Sequence, residues 1–224
     1  MKIGIVIPWR EHPSRIKPFN IVVDWYKKYY PDANFYFPNY PGDKWLPSHT
    51  RNLGVRMAEQ DGCDLIIMND ADTIPMFISL EKTIKEAYED THIHNPYHAY
   101  ILLSEKSSKE YMNDLETGLE NWDGLHIVNS NAGTWVFTPE TWWSIGGMDE
   151  KFTEWGYEDS ALEYAHEVIK GIKFKKHFGK VFALQHDPQP NILRSAEINE
   201  KIYRQYLDIS DKDKMLDFIK LKNA

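Results

Sequence analysis

Two carboxylates one residue apart, Asp70 and Asp72, stand directly after the short apolar run Leu65–Met68. The run carries β-branched residues and ends abruptly, which predicts a buried strand. In an open α/β sheet, ligands gather at the carboxyl ends of strands, so both acids would face a crevice. Such a pair suits a hard divalent cation that keeps several waters while it holds a diphosphate. Without chemistry, the same residues would make a solvated acidic turn. Pro75 follows, and it is expected to stop further strand pairing.

A second acidic pair, Glu158 and Asp159, comes after the aromatic, glycine-containing segment Trp155-Gly156-Tyr157. Acids in the first turn of a helix complement its dipole and need no catalytic role. That accounts for the acids but not for bulky Trp155 beside Gly156. A mobile aromatic flap over a sugar, with a carboxylate beneath it, accounts for both. The helix N-terminus is expected to lower the carboxylate's pKa and keep it ionised.

The elements that must position these acids alternate. Residues 2–8 read as a central strand ending at Pro8-Trp9-Arg10, and a helix from Ser14 to Tyr30 follows, with Pro18 tolerable only in its first turn. A strand at 34–37 precedes a helix to Gln60 that Ser48 can cap, with Arg51 as an exposed surface residue unless it meets a ligand. After the acidic strand comes a helix at 79–89. Strand–helix–strand–helix–strand is the pattern of a parallel sheet with crossover helices. Further strands are expected at 97–103, 127–130, 134–138 and 181–185, and Ser107 is expected to cap a polar helix reaching residue 121. Glu158 to Lys170 reads as a helix, and two polar helices near 193–207 and 211–222 end the chain.

Composition bounds the reading. The 224 residues include 42% hydrophobic and 14% aromatic ones, enough for a substantial core. The formal charge of −8 argues against nonspecific nucleic-acid binding. No run approaches a transmembrane span, so a cytoplasmic location is expected. The single cysteine, Cys63, fits a reducing compartment and a small buried filler. Most of the eight tryptophans belong in the core, with Trp155, and more weakly Trp45, as sugar-stacking candidates.

Strand and acids together, Asp70-Ala71-Asp72-Thr73-Ile74-Pro75, resemble the metal motif of nucleotide-sugar glycosyltransferases of the GT-A fold. The run from Gly146 to Leu162 is similar to the acceptor-side motif of β-1,4-galactosyltransferases, which recurs in polypeptide N-acetylgalactosaminyltransferases. Two such motifs about 85 residues apart are far more specific than either alone. The resemblance implies an α/β fold, GT-A (Rossmann-like), with a mostly parallel sheet over residues 1–190 and a C-terminal helical extension over 191–224. It implies Asp72 as ligand to Mn2+ or Mg2+, Asp70 as contact to ribose or metal, and His186 as the late histidine of the metal site, with Asp187 and His177 as lesser substitutes. Pro8, Arg10 and Arg51 would line the nucleotide pocket, and Trp155 and Gly156 would meet the sugar. Asp159 would be the general base of an inverting transfer from a UDP-sugar, with Glu158 holding hydroxyls. The segment Asn131-Ala132-Gly133-Thr134 matches the family's glycine-rich strand only loosely. The expected acceptor is a glycan, polyol, protein or modified base, and the compact form suggests a bacterial or phage source. Rival readings are a nucleotidyltransferase, against which the glycine-free Pro8-Trp9-Arg10-Glu11-His12 counts, and a nonenzymatic nucleotide- or sugar-binding module.

Overall fold

A computed structural model describes residues 1–40, 42, 44–115, 123–128, 130–187 and 192–222, with only the backbone of 192–194 and 220–222. A six-stranded sheet takes β1 (Ile3–Val6), β2 (Asn34–Tyr36), β3 (Leu65–Asn69), β5 (His94–Asn95), β8 (Thr134–Phe137) and β9 (Lys175–Lys176) in the order β2-β1-β3-β8-β5-β9. β8 alone runs against its neighbours, so the sheet is mostly parallel as expected. A second, four-stranded sheet was not foreseen. It joins β4 (Thr73–Pro75), β6 (Ala99–Leu103), β7 (Gly124–Ile127) and β10 (Lys180–Ala183) in the order β4-β10-β6-β7.

The acidic turn therefore joins the two sheets: the chain leaves β3 at Asn69 and enters β4 at Thr73. Pro75 does not end pairing, since it lies opposite Val181 within β4. The proline is tolerated because β4 is an edge strand, where a missing N–H breaks no ladder.

Alternation along β3 divides the core between the faces of the larger sheet. Leu65 and Ile67 pack with α1 (Pro13–Tyr29), α3 (Phe77–Tyr88) and residues of the second sheet. Ile66 and Met68 pack with α2 (Pro47–Gln60), α5 (Pro139–Ser144), α6 (Glu158–Lys170) and the last two helices, α7 (Ile192–Leu207) and α8 (Lys212–Lys222). Tyr206, Met215 and Ile219 bring those C-terminal helices into this core. Cys63 is buried, and so are Trp135 and Trp142.

Several boundaries move for local reasons. Pro47 occupies the start of α2, so Ser48 lies inside the helix and does not cap it. Pro18 sits beyond the first turn of α1. Ser104, not Ser107, caps α4 (Glu105–Tyr111) by accepting from the Ser107 amide, and residues 116–122 of the longer predicted helix lie outside the described residues. The strand expected at 127–130 is displaced to β7, and Asn129 lies outside the described residues. Gly54 lets α2 lie against β1: a Cβ there would stand 2.2 Å from Val6 Cγ1. That close approach brings Arg51, one turn earlier, to the carboxyl end of β3.

Candidate active site

Asn69 fixes the acidic turn from beneath. Its Nδ2 donates to the Asp70 and Thr73 carbonyls, while its Oδ1 accepts from Tyr26 and Thr134 hydroxyls. The Asp70 amide donates to the Gly133 carbonyl at 2.7 Å. Gly133 has φ +91°, and a Cβ there would stand 3.0 Å from the Tyr100 ring, so the loosely matching segment 131–134 does need its glycine.

The Asp72 carbonyl accepts from the Leu184 amide, which fixes where β10 hands over to His186. His186 Nε2 lies 2.8 Å from Asp72 Oδ2, and its Nδ1 is 2.7 Å from the Asp187 carbonyl. The hydrogen bond to Asp72 raises the His186 pKa despite burial. The turn and the late histidine are thus one unit, although 114 residues separate Asp72 from His186 in sequence.

Arg51 departs most from expectation. It is buried, at 6% exposure, where the sequence reads as a surface position. Its guanidinium donates to Asp70 Oδ1 at 2.9 Å and Asp159 Oδ1 at 3.1 Å, and lies 3.6 Å from Glu158 Oε1. Its Cζ sits 5.0 Å from the Trp135 ring. Three carboxylates around one guanidinium leave an excess of negative charge in a poorly solvated place. Burial pushes Asp159 well above the usual carboxylate range, against the pull of Arg51 and with help from Glu158 and Asp70. Burial likewise raises Glu158 and Asp70. The lowering expected from the helix N-terminus is overridden, because desolvation of a crowded carboxylate outweighs a dipole effect of about 1 kcal/mol.

The loop before α6 is held in an unusual conformation. Glu154, Gly156 and Tyr157 all have positive φ, at 61°, 107° and 68°. The Gly156 amide donates to Glu158 Oε2, and the Glu154 amide to the Trp45 carbonyl. Asn199, buried on α7, donates to the Thr153 and Trp155 carbonyls, so the C-terminal helices support the loop from behind.

These groups open on one cavity of about 380 Å³. Asp72 and His186 line it together with Glu158 and Asp159, and Pro8, Arg51 and Asp70 contribute as well. Trp155, 49% exposed, and Trp45 also line it. Gly156 serves through its amide rather than as lining. Arg10 is not among the lining residues; Arg15, from the first turn of α1, is. His177 belongs to another cluster, against Glu86 and His94. Asp187 supplies a backbone carbonyl to His186 and is not itself among the lining residues. Asp70 is tied to Arg51 rather than gathered with His186.

Residues 115–187 match the family described as the N-terminal domain of galactosyltransferase. No curated protein matches the chain in sequence. Among solved structures, the catalytic domain of Drosophila β-1,4-galactosyltransferase 7 in complex with xylobiose is 17% identical with TM-score 0.55, covering 95% of this chain and 83% of that one. A mutant of the Drosophila enzyme in complex with manganese, UDP-Gal and xylobiose is 17% identical with TM-score 0.52, covering 78% and 64%. GalNAc-T7 with UDP, GalNAc and Mn2+ is 11% identical with TM-score 0.53, covering 96% and 56%. The chain thus spans less than two thirds of two of these proteins. At such identities the likeness shows the fold, which is the GT-A fold expected from the two motifs. The expected resemblance to nucleotide-sugar glycosyltransferases is met by the family match together with these neighbours. Among the described residues, no helix is long and apolar enough to cross a membrane.

Proposed function

We propose that this chain is a metal-dependent glycosyltransferase that moves a sugar from a nucleoside-diphosphate sugar, a UDP-sugar by preference, to an acceptor hydroxyl with inversion. The observation that supports it best is the shared cavity: Asp72 with His186, and Asp159 with Glu158, line the same space. The galactosyltransferase match over residues 115–187 supports the reaction class. The structural neighbours that carry UDP or UDP-Gal with manganese support the donor class.

Asp72 and His186 fit a divalent cation, Mn2+ or Mg2+. An imidazole whose Nδ1 rests on a backbone carbonyl has its ring orientation fixed, and here Nε2 is turned to the Asp72 carboxylate. Anchoring the far nitrogen in this way is the usual support of a metal-bound histidine. A bound cation would offset charge growing on the departing diphosphate.

Asp159 acts as the general base. Its Oδ1 is held by Arg51, which leaves Oδ2 to accept the acceptor's proton as the hydroxyl oxygen bonds to the anomeric carbon. The bond from that carbon to the phosphate oxygen breaks as the new one forms, and the nucleoside diphosphate leaves. A raised pKa makes Asp159 a better base than an ordinary surface carboxylate. Glu158, bound to the Gly156 amide, holds substrate hydroxyls and the loop in register. Arg15 takes the place in the nucleotide pocket first given to Arg10, and Asp70 keeps its second oxygen for ribose or the cation. Trp155 stacks on a sugar face.

The test is slow donor hydrolysis against a panel of UDP- and GDP-sugars with and without Mn2+. Manganese-dependent release of one diphosphate, abolished in Asp72→Ala, is expected. Tight nucleotide binding without release from any donor would replace the transferase with a binding module.

A further inference from the structure

Strands of the second sheet supply one wall of the active cavity, and alternation along them decides what that wall presents. Ile101 and Leu103 on β6, with Phe182 on β10, pack into the core that α1 and α3 cover. Tyr100 and Leu102 point the other way and line the cavity, as does Ala183, the register partner of Leu102. Among the described residues of that sheet, Tyr100 is the one polar side chain on the wall.

Its ring is fixed in place. It lies against Gly133, where an added Cβ would stand 3.0 Å from it, and it meets the Tyr97 ring edge-on, with centroids 6.1 Å apart and planes at 72°. The two phenols differ in what their hydroxyls do. Tyr97 donates to the Ala132 carbonyl. The Tyr100 hydroxyl makes no hydrogen bond among the described residues. Burial keeps this phenol protonated, and of the cavity's carboxylates Asp72 acts on it more strongly than Asp70 or Asp159. The hydroxyl thus belongs to the Asp72 side of the cavity rather than to the Asp159 side.

The chemistry of the lining gives that hydroxyl a task. Asp70, Asp72, Glu158 and Asp159 offer acceptors, and the Arg51 guanidinium is already engaged by three of them. An anionic leaving group in such a place needs donors that the carboxylates have not taken. Resting on the transferase reading above, we propose that Tyr100 is a catalytic residue whose hydroxyl donates a hydrogen bond to the terminal phosphate of the departing nucleoside diphosphate. As the bond from the anomeric carbon to the phosphate oxygen breaks, its electron pair stays with that phosphate and negative charge grows there. The phenolic proton is shared with the phosphate oxygen and remains on Tyr100, so no proton is transferred. A fixed donor aimed where charge develops stabilises the transition state more than the ground state. The apolar neighbours Leu102, Ala132 and Ala183 strengthen the bond by lowering the local dielectric.

Tyr100→Phe in the full chain removes the hydroxyl and keeps the ring against Gly133 and Tyr97, and unchanged thermal unfolding confirms that the fold is retained. Calorimetry with Mn2+ then compares UDP with UMP, and GDP with GMP, since the monophosphates lack the terminal phosphate. Tyr100→Phe should weaken the bound diphosphate by about tenfold or more while leaving the monophosphate within about twofold of the parent. Manganese-dependent donor hydrolysis should fall by about a hundredfold in kcat, with a much smaller change in donor KM. Diphosphate affinity equal to the parent's, or an equal loss for the monophosphate, would overturn the role of Tyr100 and leave the transferase reading standing. A parent chain that binds neither diphosphate would overturn that reading, and this role with it.

Discussion

Replacing Arg51 by methionine isolates the electrostatics of the active-site cluster. Arg51 is the cation that the ion pairs give to Asp70, Glu158 and Asp159, and it is almost wholly buried. Removing one partner of a buried ion pair costs about 3–5 kcal/mol, because the remaining charge is left uncompensated. In a chain of this size Tm falls by about 2–4 °C per kcal/mol, so Arg51→Met should lose roughly 6–20 °C at neutral pH. The sign of its pH dependence follows from the acids. Their folded pKa values are raised by burial, so their protonated forms favour the fold and ionisation disfavours it. Stability is therefore highest below the unfolded carboxylate pKa of about 4 and falls as pH rises through the raised folded values. Without Arg51 those values rise further, so the deficit of Arg51→Met should be larger at pH 8 than at pH 5. Asp159→Asn in the same background removes one of the stranded charges and should restore several degrees. Thermal unfolding followed by circular dichroism across that pH range measures all three. A Tm within about 2 °C of the parent, or a deficit that does not change with pH, would show that the three acids are not held by Arg51 and would remove the electrostatic account of the site.

Asp159→Asn alone should lower kcat by about 10²–10⁴ while leaving donor binding intact, and the parent's acid limb should fall above the usual carboxylate range. Steady-state kinetics over pH checks both. On the proposed function, Mn2+ at Asp72 and His186 competes with the proton that the Asp72 hydrogen bond favours on His186, so its affinity should tighten as pH rises through the raised His186 pKa. Calorimetry in buffers of different ionisation enthalpy would read the released proton. Asn199→Ala removes the donor to the Thr153 and Trp155 carbonyls and should raise KM for the acceptor more than it lowers Tm, since its effect falls on the loop. Proteolysis near residues 153–157 should quicken in parallel.

Local sequence was informative wherever a residue's neighbours along the chain decide its state. The β3 run, its terminal acids, and the helix opened by Glu158 and Asp159 could all be read because strand hydrophobicity and helix caps are short-range signals. Arg51 could not. On α2 its neighbours are polar enough for a surface position, and only a helix lying tight against β1 at Gly54 buries it among acids from two distant segments. The Asp159 pKa was misjudged for the same reason, since a helix dipole is visible in sequence and desolvation is not. Pro75 was read as a break because an edge strand and a chain break both admit proline. β5 and β9 are two residues each, too short for any period, and their pairing depends on segments about eighty residues apart.

The turn between β3 and β4 has a consequence for how the protein comes to exist. Its two arms belong to different sheets, and among the described residues the arm at Thr73–Pro75 pairs with Val181–Ala183 alone. During synthesis the acids at positions 70 and 72 emerge long before the strand that closes over them and the histidine that faces Asp72. A nascent chain thus presents one sheet with an unpaired neighbour until most of its length has been translated, and pairing so far apart in sequence is slow to nucleate. Manganese affinity would then serve as an indicator of completed folding, appearing in a refolding experiment with the last phase rather than with the first burst of helix formation.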